Sequence, residues 1–121
     1  MAVISPLAYV HPDARLAEDV KVEAFVFIDK DVEIGEGSHI MSHASIIGGT
    51  VIGKNTSVYD GCVIGADPQD FRWKGEKGRC IIGDNTKIYQ HVIINRSIHE
   101  GGSTSVGNNS YVMAQTHIGH D

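Results

Sequence analysis

The chain has 121 residues, a formal net charge of -5, 41% hydrophobic and 21% charged residues and 14 glycines, the composition of one ordinary globular domain. Ile, Val and Leu supply 29 residues, too much apolar surface for a disordered chain, and the acidic balance argues against nucleic acid as a partner. The opening MAVISPLAYV has no basic stretch and is interrupted by Pro6, so neither a secretion signal nor an integral membrane segment is read there and a cytoplasmic address is expected.

From the N-terminus, Ile4, Val10, Leu16, Val22, Ile28, Ile34, Ile40, Ile46, Ile52, Val58 and Ile64 follow one another at intervals of six. Six residues of helix turn through about 600° and scatter side chains around the axis. An even number keeps them on one face of extended backbone, so short strands are predicted, one per hexad. Four residues after each aliphatic comes a small or β-branched side chain, among them Ala14, Val26, Ser38, Thr50 and Cys62, also expected to point inward. Between the two lie Asp13, Asp19, Asp31, Gly37, Gly49, Asn55 and Gly61, residue types that accept a left-handed backbone at low cost. A turn every six residues with an inward aliphatic on each leg describes a triangular coil, three hexads per rung, each rung pairing its backbone with the next.

Residues 66–79, ADPQDFRWKGEKGR, break the phase and are predicted to form an outward loop. Its cations, Arg72, Lys74, Lys77 and Arg79, make a positive spot suited to a phosphorylated substrate or an acidic carrier protein. The phase resumes at Ile82, Ile88 and Ile94, breaks again over residues 100–105 (EGGSTS), and returns at Val106, Val112 and Ile118. In all, 17 of the 29 aliphatics share one phase, where an even spread over six would place roughly five. Cys62 and Cys80 match no metal spacing and no disulfide framework; they fall on the inward small-residue phase, where they would be inaccessible as nucleophiles. The chain closes on QTHIGHD. His117 and His120 point outward by phase, and a histidine oriented by a neighbouring carboxylate such as Asp121 is a candidate general base.

The hexad pattern resembles the left-handed parallel β-helix of the hexapeptide-repeat acyltransferases, an all-β solenoid, over essentially the whole chain. The hand is implied by that resemblance alone, because the period does not set it and the usual crossover rule favours the opposite one. The segments GADPQDFRWKGE, IIGDNTKI and HIGHD, in this order and spacing, are similar to those of the UDP-N-acetylglucosamine O-acyltransferases of lipid A biosynthesis. The resemblance implies that His120 takes the proton of the sugar 3-hydroxyl as it attacks a (3-hydroxy)acyl thioester on acyl carrier protein. Asp121 would orient His120, His117 would help hold the substrate, and Gln69 and Asp70 would lie near the acyl and sugar groups. Arg72 stands where that family usually has Lys, which bears on the nucleotide sugar accepted, since the guanidinium fork bonds differently from an ammonium.

The same resemblance implies a cytoplasmic homotrimer with sites between subunits, a UDP-sugar acceptor, and no cofactor beyond the phosphopantetheine arm of acyl carrier protein. No metal is expected. Members of that family are longer, with further coils and a helical region after the catalytic histidine. Residues 1–121 are therefore expected to be one β-helix domain lacking those C-terminal parts, with catalysis by this stretch alone not expected. The alternatives are a related hexapeptide N-acyltransferase or acetyltransferase, a zinc protein like the γ-class carbonic anhydrases with His91, His117 and His120 as ligands, and an inactive scaffold.

Overall fold

The structure, a computed structural model, describes residues 1–121. It contains 17 short strands and no helix, so no helix is long and apolar enough to cross a membrane. The strands form three parallel sheets, the sides of a triangular prism. The first side stacks Val3–Ile4, Lys21–Val22, His39–Ile40, Ser57–Val58, Lys87–Ile88 and Tyr111–Val112. The second stacks Tyr9–Val10, Phe27–Ile28, Ser45–Ile46, Val63–Ala66, Ile93–Asn95 and His117–Ile118. The third stacks Arg15–Leu16, Glu33–Ile34, Thr50–Ile52, Arg79–Ile82 and Ser103–Val106.

In the early coils Val3 pairs with Lys21 and Lys21 with His39, a spacing of 18 residues or three hexads. Across the first loop Ser57 pairs with Lys87, and across the second Lys87 pairs with Tyr111. These spacings exceed 18 by two hexads and by one, so both insertions are multiples of six and the aliphatic phase passes through them unshifted.

The inward aliphatics from Val22 to Ile94 are at most 2% exposed. The second inward set is buried beside them, and its hydroxyls are paired: Ser38 Oγ donates to the Gly53 carbonyl, Thr56 Oγ1 to Gly83 and Thr86 Oγ1 to Gly107. A buried hydroxyl without a partner would be costly, and each of these ties one coil to the next. The accepting corner is closed to side chains, since a Cβ on Gly35 would stand 2.7 Å from the Gly53 backbone.

Two expectations are corrected. The loop bounds differ from those the sequence suggests: Ala66 pairs with Asn95 and Arg79 with Ser103, so the first excursion is trimmed at each end to residues 67–78 and the second is displaced towards the N-terminus, to residues 96–102. Backbone pairing with the neighbouring coil holds the polar and glycine-rich ends in strand, after a register shift at Gly65, whose φ is 86°. The left-handed corners are also assigned differently. Asp13 does not adopt positive φ; its N–H is taken by His11 Nδ1 at 3.0 Å. Phe25, His43, His91 and Gln115 do adopt it, with φ of 58–66°, although Phe and Gln carry no such preference and His a weaker one than Gly or Asn. The coil imposes the turn, and stacking of Phe25 on His43, centroids 5.3 Å apart, helps to offset the strain.

Candidate functional site

The site forms where the chain turns the corner between the second and third sides. Ile118 points inward, Gly119 and His120 pass the edge, and Asp121 takes the left-handed corner position with φ 57°. Its carboxylate is held on several sides. Oδ1 accepts the Ser97 hydroxyl, Oδ2 accepts the Ile98 N–H at 3.1 Å, and the Asp121 N–H donates to Thr104 Oγ1 at 2.6 Å. The remaining contact of Oδ2 is His120 Nδ1, at 2.8 Å.

The Ser97 hydroxyl, ahead of the His120 and Ile98 contacts, brings the Asp121 carboxyl down from 3.8 to about 2. A carboxylate lowered on folding stabilises the native state above its unfolded value and loses that contribution as pH falls through the folded one. Denaturant midpoints are therefore expected to decline between about pH 4 and pH 2, with a shallower decline in Asp121→Asn. An equal decline in that variant would show that other carboxylates carry the acid sensitivity.

On the far side of the ring, His120 Nε2 lies 3.2 Å from Asp70 Oδ2. Asp70 is itself forked by Arg72, with Nε to Oδ1 at 3.1 Å and Nη2 to Oδ2 at 2.8 Å, and it accepts the Arg72 N–H at 2.8 Å. The Arg72 side chain holds the Asp70 carboxyl well below the usual carboxylate range, and Asp70 in turn raises Arg72. A carboxylate only accepts hydrogen bonds, so the ring satisfies both contacts only with both nitrogens protonated. With a neutral ring donating to Asp121, Nε2 is a lone pair, and Asp70 must turn away to leave room for a hydroxyl.

The structure thus brings Asp70, Arg72, His120 and Asp121 together. Gln69 is exposed and makes no hydrogen bond within the chain, and His117 stands apart on the second side with its Nε2 at 2.5 Å from Asn95 Oδ1. Sequence reasoning missed Ser97, Thr104 and Asn95. Thr104 falls within residues 100–105, read as a break in the phase, Ser97 lies in the second loop and Asn95 ends the strand before it, and the phase says nothing about contacts made there.

The positive spot is also rearranged. Arg72 is engaged by Asp70, whereas Lys77 and Arg79 join Lys30 and Arg96 around a cleft of about 620 Å³, with Asp29 and Asp31 beside them. Arg96 stacks on Trp73 at 5.3 Å and bonds Asp67 at 2.9 Å, and Lys77 N–H donates to Glu100 at 2.9 Å. The two loops are thereby fastened to each other. His120 and Asp121 line none of the chain's three clefts.

The histidines considered as zinc ligands do not converge within the chain. The His91 ring packs over Gly61, the His117 Nε2 is taken by Asn95, and both nitrogens of His120 face carboxylates. The thiols are shielded: burial raises Cys62, and burial pushes Cys80 up to about 12. Neither is expected to react with a thiol reagent at pH 8 in the folded chain, and both should react in denaturant. Labelling of the native protein would reopen a covalent route.

A family model described as the GMPPB C-terminal domain matches residues 4–100. The acyl-acyl-carrier-protein–UDP-N-acetylglucosamine O-acyltransferase of Saccharophagus degradans is 43% identical over 122 residues, covering 100% of this chain and 47% of that protein. The enzyme of the same name from Xanthomonas euvesicatoria is 43% identical, covering 98% and 46%. Among solved structures, the UDP-N-acetylglucosamine acyltransferase of Bacteroides fragilis superposes with a TM-score of 0.95 at 46% identity, covering 98% of this chain and 46% of that one. That of Francisella novicida gives 0.94 at 39% identity, covering 98% and 44%. The chain spans about half the length of the curated relatives it matches. Superposition this close requires the same path and the same hand, so the coil is a left-handed parallel β-helix.

Proposed function

This chain belongs to the family described as the GMPPB C-terminal domain and matches about half of the length of the UDP-N-acetylglucosamine O-acyltransferases, and from that premise we propose that it carries the general base of such a transferase. The reaction moves a (3-hydroxy)acyl group from acyl carrier protein to the 3-hydroxyl of UDP-N-acetylglucosamine. The observation that carries the reading is the His120 ring held through Nδ1 by a firmly ionised Asp121.

In the productive state Asp70 has turned from Nε2 and the sugar hydroxyl takes its place. Nε2 accepts the hydroxyl proton as the oxygen attacks the thioester carbonyl, forming the C–O bond. Collapse of the tetrahedral intermediate breaks the C–S bond, and the departing thiolate recovers the proton from His120. Asp121 stabilises the imidazolium in between, as a buried carboxylate does in other acid–base pairs. Arg72, which forks Asp70 at rest, offers the loop carboxylate an alternative hold while the hydroxyl is bound.

The donor for the developing oxyanion and the walls of the pocket come from outside these residues. A homotrimer supplies them in our reading. The outer surface of the second side carries Tyr9, Phe27 and Ile93, 38–50% exposed, with Tyr9 stacked on Phe27 at 5.4 Å. Such a column beside His117 suits packing against another copy. The Lys30, Lys77, Arg79 and Arg96 cleft suits the acidic carrier and its phosphodiester arm. A reducing cytoplasm suits the two free, buried cysteines.

The test is direct. Protein incubated with 3-hydroxyacyl-loaded carrier and UDP-N-acetylglucosamine is assayed by mass spectrometry for a nucleotide sugar heavier by one acyl group. A 3-deoxy sugar should give none. In a protein that carries this segment together with the family's C-terminal parts, a folded, assembled form that makes no such product would overturn the assignment.

A further inference from the structure

Asn95 follows the inward Ile94 and by phase should face solvent, yet it is 1% exposed. The first loop covers it: Asn95 Nδ2 donates to the Asp67 carbonyl at 2.9 Å, and Asn95 Oδ1 faces His117 Nε2 at 2.5 Å. The Asp67 carbonyl can only accept. Exchanging the amide oxygen and nitrogen would set two acceptors against each other in a buried place, so the orientation of the amide is determined by the loop. The oxygen facing His117 can also only accept, and the proton between them must belong to Nε2. A neutral imidazole has one N–H. Its Nδ1 is left as a bare acceptor, and no group of the chain bonds to it.

We infer that Asn95 is a positioning residue that locks His117 in the Nε2–H form and makes it a receptor for a hydrogen-bond donor of the substrate, a sugar hydroxyl or amide N–H, rather than a donor to the acyl carbonyl. His120 is held in the opposite sense, through Nδ1. Once Asp70 has turned from His120 Nε2, two histidines three residues apart both present lone pairs, one to the hydroxyl that reacts and one to a second donor on the same ligand. The identity of that ligand rests on the acyltransferase reading; the state of the His117 ring does not.

Long-range ¹H–¹⁵N spectra of the histidine rings at neutral pH test the inference on the intact protein without any activity, with His117→Gln identifying the signals. His117 is expected to show a protonated Nε2 and an unprotonated Nδ1. In Asn95→Leu that pattern should give way to a mixture of forms. A protonated Nδ1 in the unaltered protein, or an unchanged pattern in Asn95→Leu, would overturn the inference. In the transferase assay Asn95→Leu is expected to raise KM for the nucleotide sugar about tenfold, the effect of one lost hydrogen bond, with a smaller change in kcat. An unchanged KM alongside a lost tautomer would refute the recognition role. Absence of transfer in every form, with the ring spectra as expected, would count against the acyltransferase reading alone.

Discussion

Within a transferase that has the family's full length, replacing His120 by Ala is expected to lower acyl transfer by about 10²–10⁴-fold, the usual contribution of a positioned general base, while the thermal unfolding midpoint stays where it was. The two halves of that expectation come from the same geometry. The ring touches two carboxylates, Asp70 and Asp121, and takes no part in the apolar interior. Its loss therefore removes chemistry without opening a cavity. Asp121→Asn should give a smaller loss in kcat, because an amide still reaches Nδ1 but does not neutralise the imidazolium. Near-normal turnover in His120→Ala would end its role as base, whatever the fate of the fold.

Ile46→Ala carries the largest expected cost in stability, about 2–5 kcal/mol. Ile46 is fully buried in the middle of the second side, paired with Ile28 on one flank and Ile64 on the other. Nothing adjacent can collapse into the space without disturbing two coils. In a solenoid each coil is held mainly by its neighbours, so the loss should be read as faster amide exchange in the strands flanking Ser45–Ile46, spreading along the stack as well as in the global midpoint. Ser45, one residue away and facing out, is the control: Ser45→Ala should stay within about 0.5 kcal/mol. A cost below about 1 kcal/mol for Ile46→Ala would be at odds with a packed triangular interior.

The interior was legible because inward and outward alternate locally along extended chain. Ile34, Ile52 and Ile88 could be assigned to one lining from their spacing alone, and all are at most 2% exposed. The HIGHD segment could likewise be marked as chemically interesting, since a carboxylate next to a histidine is visible in one dimension. The corner conformations were only partly legible. Asp, Asn and Gly announce a left-handed turn, but Phe25, His43, His91 and Gln115 take it because stacked coils leave the chain no other way round.

The hexad period by itself determined the triangular coil, the buried lining and the places where the chain must leave the rod, because each follows from which face of a strand a residue occupies. Only the tertiary structure decided that Asp70 meets His120, that Ser97 and Thr104 hold Asp121, and that Asn95 under the first loop faces His117. Those contacts join residues one coil or more apart, across excursions of unequal length. Side chains on the outer surface have no period to say which of them the loops will bring together.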